Sequence, residues 1–111
     1  MAQPLYNWLA QLPYKPSEVQ ARVSNFQDHL AYIKSQVAAG KITMAGPTFS
    51  SQPSSPEDAQ TKGSGSVRVV NASTEEEAWA LVKGDPFAKT GVWDLEKSTL
   101  LPMKVAVVKP L

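Results

Sequence analysis

The sequence contains no cysteine, and this absence excludes several kinds of site. Without thiols the chain cannot form disulfides, thiolate metal centres or cysteine nucleophiles. His29 is the only histidine, so a multi-histidine metal centre cannot be built, and no HExxH motif or carboxylate cluster replaces it. No glycine-rich loop with a following lysine indicates nucleotide binding either. We therefore expect neither a metal nor another cofactor.

An excess of charge of one sign is also absent. Eleven Lys and Arg oppose ten Asp and Glu, for a net charge of +1 spread along the chain. Because no basic stripe could neutralise a run of phosphates, we expect no nucleic-acid partner. No stretch approaches the roughly 20 apolar residues of a membrane span, and residues 1–16 lack the positive start of a signal peptide. The pattern favours a cytoplasmic protein that does not bind membranes.

The composition is sufficient for one folded domain. The chain has 111 residues, of which 42% are hydrophobic, with nine Trp, Tyr and Phe residues among them. A chain of this length and content can bury a core, so we expect a single domain over residues 1–111. Residues 50–66 are rich in Ser, Pro, Gly and Gln, which predicts a flexible internal loop.

Two helices are predicted from capping signals and apolar periodicity. Ser17 and Gln20 form a capping-box pattern before apolar residues spaced as one helix face, which predicts a long amphipathic helix from Val19 to Val37. Gly40 follows as a left-handed C-terminal cap. Thr74 and Glu77 form the second capping box, with a short helix behind it.

The remaining segments are predicted as strands. They are residues 5–11; residues 41–45, ended by Gly46-Pro47; residues 66–70; and final strand material at 92–95 and 103–108, divided around Pro102. The resulting order is βαββαβ, an α+β fold of ferredoxin-like type with both helices on one face of an antiparallel sheet. Because the other sheet face would be bare and apolar, we expect a homodimer formed through it, an α+β barrel.

Several short motifs resemble one known family, the YCII-related (YciI-like) proteins. The first group is the helix segment DHLAYIK at 28–34 followed by AGK at 39–41 and AGP at 45–47. The second group is TEEEA at 74–78 followed by GDPF at 84–87 and Gly91. Their order and spacing resemble the family pattern over most of the chain. The longer central loop and the lack of an arginine just before His29 depart from it.

The resemblance implies a ferredoxin-like dimer with a pocket in which His29 meets Asp85. It also implies small hydroxylated aromatics as a substrate class, because one branch of the family resembles a metal-free dehydrochlorinase.

The residues themselves allow more than one interpretation of this pair. On a helical wheel His29 lies at the margin of the apolar stripe, beside Phe26 and Ile33, where partial burial and a carboxylate partner would suit acid–base chemistry. A histidine satisfied by an ordinary hydrogen bond is the alternative. Asp85 precedes Pro86 and is also expected to be a helix N-cap, a role that is compatible with orienting His29.

Four further residues are candidates for substrate binding: Arg22, Tyr32, Phe87 and Trp8. Arg22 lies on the same helix margin as His29 and could bind a carboxylate or phenolate, or be a solvated charge. Tyr32 could hydrogen-bond a substrate oxygen, although packing is the commoner role. Phe87 and Trp8 could line an aromatic pocket or belong to the core or dimer interface.

These observations predict a cofactor-free lyase or isomerase that acts on a small phenolic, enolic or polyketide-like substrate. His29 would be the general acid and base, and Asp85 would fix its tautomer and stabilise the imidazolium. A non-catalytic small-molecule-binding or accessory module and a purely structural dimer remain alternatives, because an isolated histidine–aspartate pair is compatible with all three.

Overall fold

The computed structural model describes residues 3–109. The strands are β1 (Tyr6–Pro13), β2 (Ile42–Phe49), β3 (Gly63–Ala72) and β4 (Thr99–Met103). The α-helices are α1 (Val19–Ser24), α2 (Phe26–Ala38), α3 (Pro56–Lys62), α4 (Glu75–Lys83) and α5 (Pro86–Lys89). Among the described residues, no helix is long and apolar enough to cross a membrane.

The four strands form one antiparallel sheet in the order β2-β3-β1-β4. This is the ferredoxin-like strand order with the predicted βαββαβ connections, and α3 is an additional helix between β2 and β3. The predicted α+β fold class is confirmed.

The predicted long helix is divided at Asn25 into α1 and α2. Asn25 leaves the helical conformation (φ −104°, ψ 5°), and its side-chain Nδ2 donates to the Ala21 carbonyl at 2.8 Å. An asparagine that binds the preceding turn competes with regular helix geometry. The capping role predicted for Ser17 is wrong, because Glu18 holds the N-cap position of α1 without a side-chain hydrogen bond.

The region from Gly40 to β3 contains the largest departures from the sequence prediction. Gly40 has φ +76°, which confirms it as a left-handed cap. The predicted strand break at Gly46-Pro47 is wrong, since β2 pairs with β3 as far as Phe49. The prediction that residues 50–66 form a loop is also wrong, because this segment contains α3 and the first residues of β3. Its flexibility remains a prediction.

The second helical region is confirmed in detail. Thr74 caps α4 by accepting from the Glu77 backbone N–H, and the Glu77 carboxylate accepts from the Ser73 N–H. Asp85 caps α5 by accepting from the Phe87 N–H. The starts of both helices are fixed by hydrogen bonds between residues no more than four positions apart, so the sequence predicts them directly.

The last strand lies elsewhere than predicted. β4 contains Pro102 and spans Thr99–Met103, whereas most of the predicted strand material at 92–95 and 103–108 is not in a strand. Pro102 is tolerated because β4 is an edge strand, where a missing N–H can face outward.

The two faces of the sheet differ. Ala10, Leu12 and Val70 lie on the helix side and are almost completely buried, in clusters that also contain α4 and α5 residues. On the other side, Leu101 is 57% exposed and Met44 42% exposed. The sheet therefore has one covered face and one face with exposed apolar side chains.

Candidate functional site

The fold brings His29 and Asp85 into direct contact. His29 lies in the first part of α2 and Asp85 immediately before α5. The imidazole Nδ1 is 2.7 Å from the carboxylate Oδ1. His29 is 7% exposed and Asp85 is fully buried, so water does not compete for this hydrogen bond.

Asp85 uses both of its oxygens. Oδ1 binds His29 and also accepts the Phe87 N–H at 2.8 Å, so this oxygen caps α5 and contacts the imidazole at once. Oδ2 lies 3.1 Å from Nη1 of Arg68. The two interpretations that the sequence left open for Asp85, cap and histidine partner, are therefore compatible in this geometry.

Arg68 is a residue that the sequence reasoning missed. It lies in β3 opposite Ala10, on the helix side of the sheet, and is only 1% exposed. Burial lowers the pKa of its guanidinium below the ordinary value, and the Asp85 carboxylate opposes that shift. In Ser66–Val70 the apolar Val67 and Val69 alternate with Ser66 and Arg68, a pattern that assigns Arg68 to the solvent side, so no signal in the sequence indicated its burial.

Two aromatic rings enclose the pair. Phe87 stacks on His29 with ring centroids 3.7 Å apart and planes 4° apart. Trp93 meets His29 edge-on at 5.8 Å, and the Arg68 guanidinium carbon lies 4.8 Å from the Trp93 ring centroid. The Trp93 Nε1–H donates to the Ser66 hydroxyl at 3.1 Å. The imidazole plane and the guanidinium are thus both fixed by packing as well as by Asp85.

A cavity of about 670 Å³ opens beside His29. It lies between α1, α2, α3 and the adjoining part of β2 and β3, and its wall is mainly apolar. The polar and aromatic lining residues are Tyr14, Arg22, Phe26, Gln27, His29, Phe49, Gln60, Ser66, Arg68 and Phe87. Nδ1 is bound to Asp85, which leaves Nε2 as the imidazole nitrogen available to a ligand. A cavity of this volume suits a small molecule.

Helix α3 forms one side of this cavity and is bound to α1. The Nη2 of Arg22 donates to the Gln60 carbonyl at 2.9 Å, and the guanidinium carbon lies 4.6 Å from the Tyr14 ring centroid. Ala59 and Gln60 themselves line the cavity. The segment predicted as a structureless loop therefore contributes part of the wall.

The four predicted substrate-binding residues have different positions. Phe87 and Arg22 line the cavity, whereas Tyr32 and Trp8 do not. The Tyr32 hydroxyl donates to the Leu81 carbonyl at 2.6 Å, and the Trp8 Nε1–H donates to the Ala72 carbonyl at 3.0 Å. Burial, and then the charge of Asp85, raise the pKa of Tyr32 above its ordinary value of 10.0. Both residues join elements of the fold instead of contacting the cavity.

Among residues 3–109, no group of three or more His, Asp and Glu side chains is placed to hold a metal ion. The ionisable side chains discussed at this site are one imidazole, one carboxylate and two guanidinium groups.

A family model described as the YCII-related domain matches residues 7–100. The chain belongs to the YCII-related family. The resemblance inferred from the short motifs is thereby confirmed, and the match includes His29, Asp85 and Arg68.

Two similar proteins are named for biosynthesis clusters, and a third is named as a kinase. The chain is 34% identical over 107 residues to the xenovulene A biosynthesis cluster protein asL2 of Sarocladium schorii, covering 95% of this chain and 93% of that protein. It is 34% identical over 92 residues to the derivative of benzaldehyde biosynthesis cluster protein C of Emericella nidulans, covering 82% and 91%. It also matches aspartate kinase FUB3 of Fusarium oxysporum at 31% identity over 96% of this chain, but only 19% of that protein.

A solved structure has the same fold. It is 5-chloro-2-hydroxyhydroquinone dehydrochlorinase (TftG) from Burkholderia phenoliruptrix, in complex with 2,5-dihydroxybenzoquinone. The TM-score is 0.74 at 26% identity, over 88% of this chain and 93% of that chain. That protein is thus named for a dehydrochlorination and was solved with a small oxygenated ring compound.

Proposed function

We propose that the protein is a cofactor-free lyase or isomerase of the dehydratase, elimination or tautomerisation type. Its substrate is a small phenolic, enolic or polyketide-like compound. His29 is the general acid and base, and Asp85 holds its tautomer and stabilises the imidazolium. The observation that carries this proposal is the His29–Asp85 hydrogen bond of 2.7 Å at the edge of a cavity of about 670 Å³.

The geometry supports a simple proton-transfer step. With Nδ1–H donated to Asp85, Nε2 accepts a proton from the substrate, and the electrons of the broken bond form a new double bond. In an elimination, the leaving group departs with its bonding electrons, and Nε2–H can return the proton to it. In a tautomerisation, the same proton is delivered to another substrate atom, so one residue serves both reactions.

The comparisons support a lyase-type or accessory role. TftG is named as a dehydrochlorinase, and the relatives belong to clusters named for xenovulene A and a derivative of benzaldehyde. We infer from these names that the substrate is a small oxygenated ring compound or an enolic precursor of one. Phe87 and Arg22 are the predicted substrate-binding residues whose positions on the cavity support that role.

We further propose that the protein acts in the cytoplasm as a homodimer joined through the open sheet face. Leu101 and Met44 lie on that face and are 57% and 42% exposed. Apolar side chains exposed together on a sheet favour a self-complementary contact with a second copy.

A binding or accessory module without turnover is the second candidate. The match to aspartate kinase FUB3 over only 19% of that protein favours it, because a similar domain there is part of a longer chain named for another reaction. In this case the cavity would bind a ligand that another protein or domain converts.

Proton exchange tests the choice between these functions. We would incubate the protein with 5-chloro-2-hydroxyhydroquinone and with enolisable cyclic diketones in deuterated water, and follow chloride release and deuterium incorporation by NMR. We expect acceleration by the wild type and a loss of about 10²- to 10⁴-fold in His29→Gln, the usual contribution of a general acid–base.

Lys34→Gln provides the matched control, because Lys34 is exposed on the same helix and does not line the cavity. This variant should retain the wild-type rate. Ligand binding without any exchange or release would favour the accessory module, and equal rates in wild type and His29→Gln would exclude His29 as the catalytic base.

A further inference from the structure

Apart from Tyr14, the titratable side chains of the described cavity wall are all basic. Within residues 3–109 the titratable lining residues other than Tyr14 are Arg22, His29 and Arg68, and no Asp or Glu lines the cavity. Asp85 lies behind His29 and Arg68 and offsets one positive charge. With Arg22 included, the wall is net positive, which favours an anionic ligand.

Arg68 has unused hydrogen-bonding capacity. Its Nε and Nη1 are enclosed and make no hydrogen bond with the described residues. Nη1 lies 3.1 Å from the Asp85 Oδ2, which also lacks a hydrogen-bond partner, so a small rotation pairs these two atoms and leaves Nε as the donor without an acceptor. A buried donor without an acceptor is costly, and a guanidinium presents five N–H groups in a fixed fork.

A purely structural role explains only part of this arrangement. The contacts with Asp85 and with the Trp93 ring account for the positive charge of Arg68. They leave its Nε–H without an acceptor among the described residues. Arg68 lines the cavity together with Ser66 and His29, so its guanidinium borders the space that a ligand would occupy.

We propose that Arg68 binds an anionic oxygen of the ligand and so restricts the site to acidic compounds. The shared chemistry is a delocalised oxygen anion, as in a carboxylate, an enolate or a phenolate, which a guanidinium can bind through paired hydrogen bonds. Arg68 and His29 contact the two oxygens of the same Asp85 carboxylate, so a ligand oxygen on Arg68 places neighbouring ligand atoms close to the imidazole. This second role, positioning the substrate, rests on the function proposed above.

Matched acidic and neutral compounds test the proposal on the wild-type protein. We would use isothermal titration calorimetry with 2,5-dihydroxybenzoquinone, whose hydroxyls are vinylogous acids, and with uncharged 2,5-dimethoxybenzoquinone. Salicylate and salicylamide form a second pair and test whether a carboxylate serves in place of an enolate. We expect the acidic member of at least one pair to bind about tenfold or more tightly than its neutral partner, as expected for a charge-assisted hydrogen bond.

Variants then assign the preference to Arg68. Arg68→Met should reduce the acidic-to-neutral affinity ratio about tenfold or more, while Arg68→Lys, which keeps the charge without the fork, should keep part of it. Lys34→Met, at an exposed position of α2 that does not line the cavity, is the control and should leave the ratio unchanged. Arg22→Met tests the other guanidinium of the wall and should change the ratio less than Arg68→Met, because Arg22 is already bound to the Gln60 carbonyl. Circular dichroism of each variant establishes that it is folded. If Arg68→Met does not fold, Arg68→Lys and the wild-type pairs still give the ratio.

Three results would overturn the proposal: neutral compounds binding as tightly as acidic ones, no binding by either acidic probe at millimolar concentration, or a larger loss in Arg22→Met than in Arg68→Met. The proposed catalytic function is tested separately by His29→Gln. Acidic ligands that bind through Arg68 without proton exchange would support this inference and contradict the catalytic function. Turnover of neutral substrates that does not depend on Arg68 would support the catalytic function and contradict this inference.

Discussion

One oxygen of Asp85 both contacts His29 and caps helix α5. Oδ1 lies 2.7 Å from the His29 Nδ1 and accepts the Phe87 N–H at 2.8 Å. Phe87 in turn stacks on the His29 ring at 3.7 Å. The start of α5 therefore fixes both the hydrogen bond and the plane of the imidazole, and the local cap is part of the candidate site.

Replacing Asp85 by asparagine should destabilise the protein. The amide can still accept the Phe87 N–H, but the anion is lost, and Arg68 becomes a buried charge without its partner. We expect the free energy of unfolding to fall by about 3–5 kcal/mol, as is usual when one member of a buried pair is removed. Urea unfolding measures it. Asp28→Asn, at an exposed position in α2, should remain near wild type, and equal stability of both variants would argue against the buried ion pair.

The tautomer of His29 provides a second prediction. Because Asp85 is an acceptor, the neutral imidazole should carry its proton on Nδ1 and leave Nε2 unprotonated. Since His29 is the only histidine, ¹⁵N NMR of the imidazole gives one unambiguous pair of signals. Asp28→Asn should preserve the Nδ1–H tautomer, and Asp85→Asn should weaken the preference. A proton on Nε2 in the wild type would contradict the proposed acid–base arrangement.

Helix α3 should depend on Arg22. Arg22→Ala removes the hydrogen bond from Nη2 to the Gln60 carbonyl and the contact with the Tyr14 ring. We expect amide exchange in residues 56–62 to accelerate about two- to tenfold, the range for loss of one net hydrogen bond. Hydrogen–deuterium exchange with mass spectrometry measures it, with residues 75–83 as an internal reference. Lys34→Ala should leave α3 unchanged, and unchanged exchange in Arg22→Ala would mean that α3 is held by other contacts.

Gly65 in β3 lies close against the backbone of β1. A Cβ there would lie 2.6 Å from the Leu12 carbonyl oxygen and 2.8 Å from the Pro13 Cα, so β1 and β3 would have to separate. We expect Gly65→Ala to reduce the free energy of unfolding by about 1–3 kcal/mol, as for other overpacked substitutions. Gly46→Ala is the matched control in β2, where a Cβ meets nothing within 4 Å. Equal stability of the two variants in urea would contradict the strand spacing.

The open sheet face provides a prediction about assembly. Leu101 pairs with Leu9 across the strands and is 57% exposed on this face. If two copies meet here, Leu101→Glu should raise the dimer dissociation constant about tenfold or more, because an unpaired charge would be buried. Val37→Glu changes an exposed apolar residue of α2 and should leave the dimer intact. Sedimentation velocity distinguishes the two, and a wild-type monomer at micromolar concentration would contradict the dimer.

The sequence by itself determined the features that depend on neighbouring residues. Thr74 and Asp85 cap their helices, and Gly40 adopts a positive φ, because each of these ends is decided by hydrogen bonds and backbone sterics within a few positions. The βαββαβ order followed from the same local signals. The motif resemblance also linked His29 with Asp85, although these residues are 56 positions apart.

Only the tertiary structure decided which side chains share the cavity. The register of β1 with β3 buries Arg68 beside Asp85, and the packing of α3 on α1 turns a polar, low-complexity segment into part of the wall. Tyr32 and Trp8 have the chemistry of ligand-binding residues, yet they bind backbone carbonyls away from the cavity. Such outcomes depend on contacts between residues far apart in the chain, whose free energy exceeds the local preferences that a sequence pattern reports.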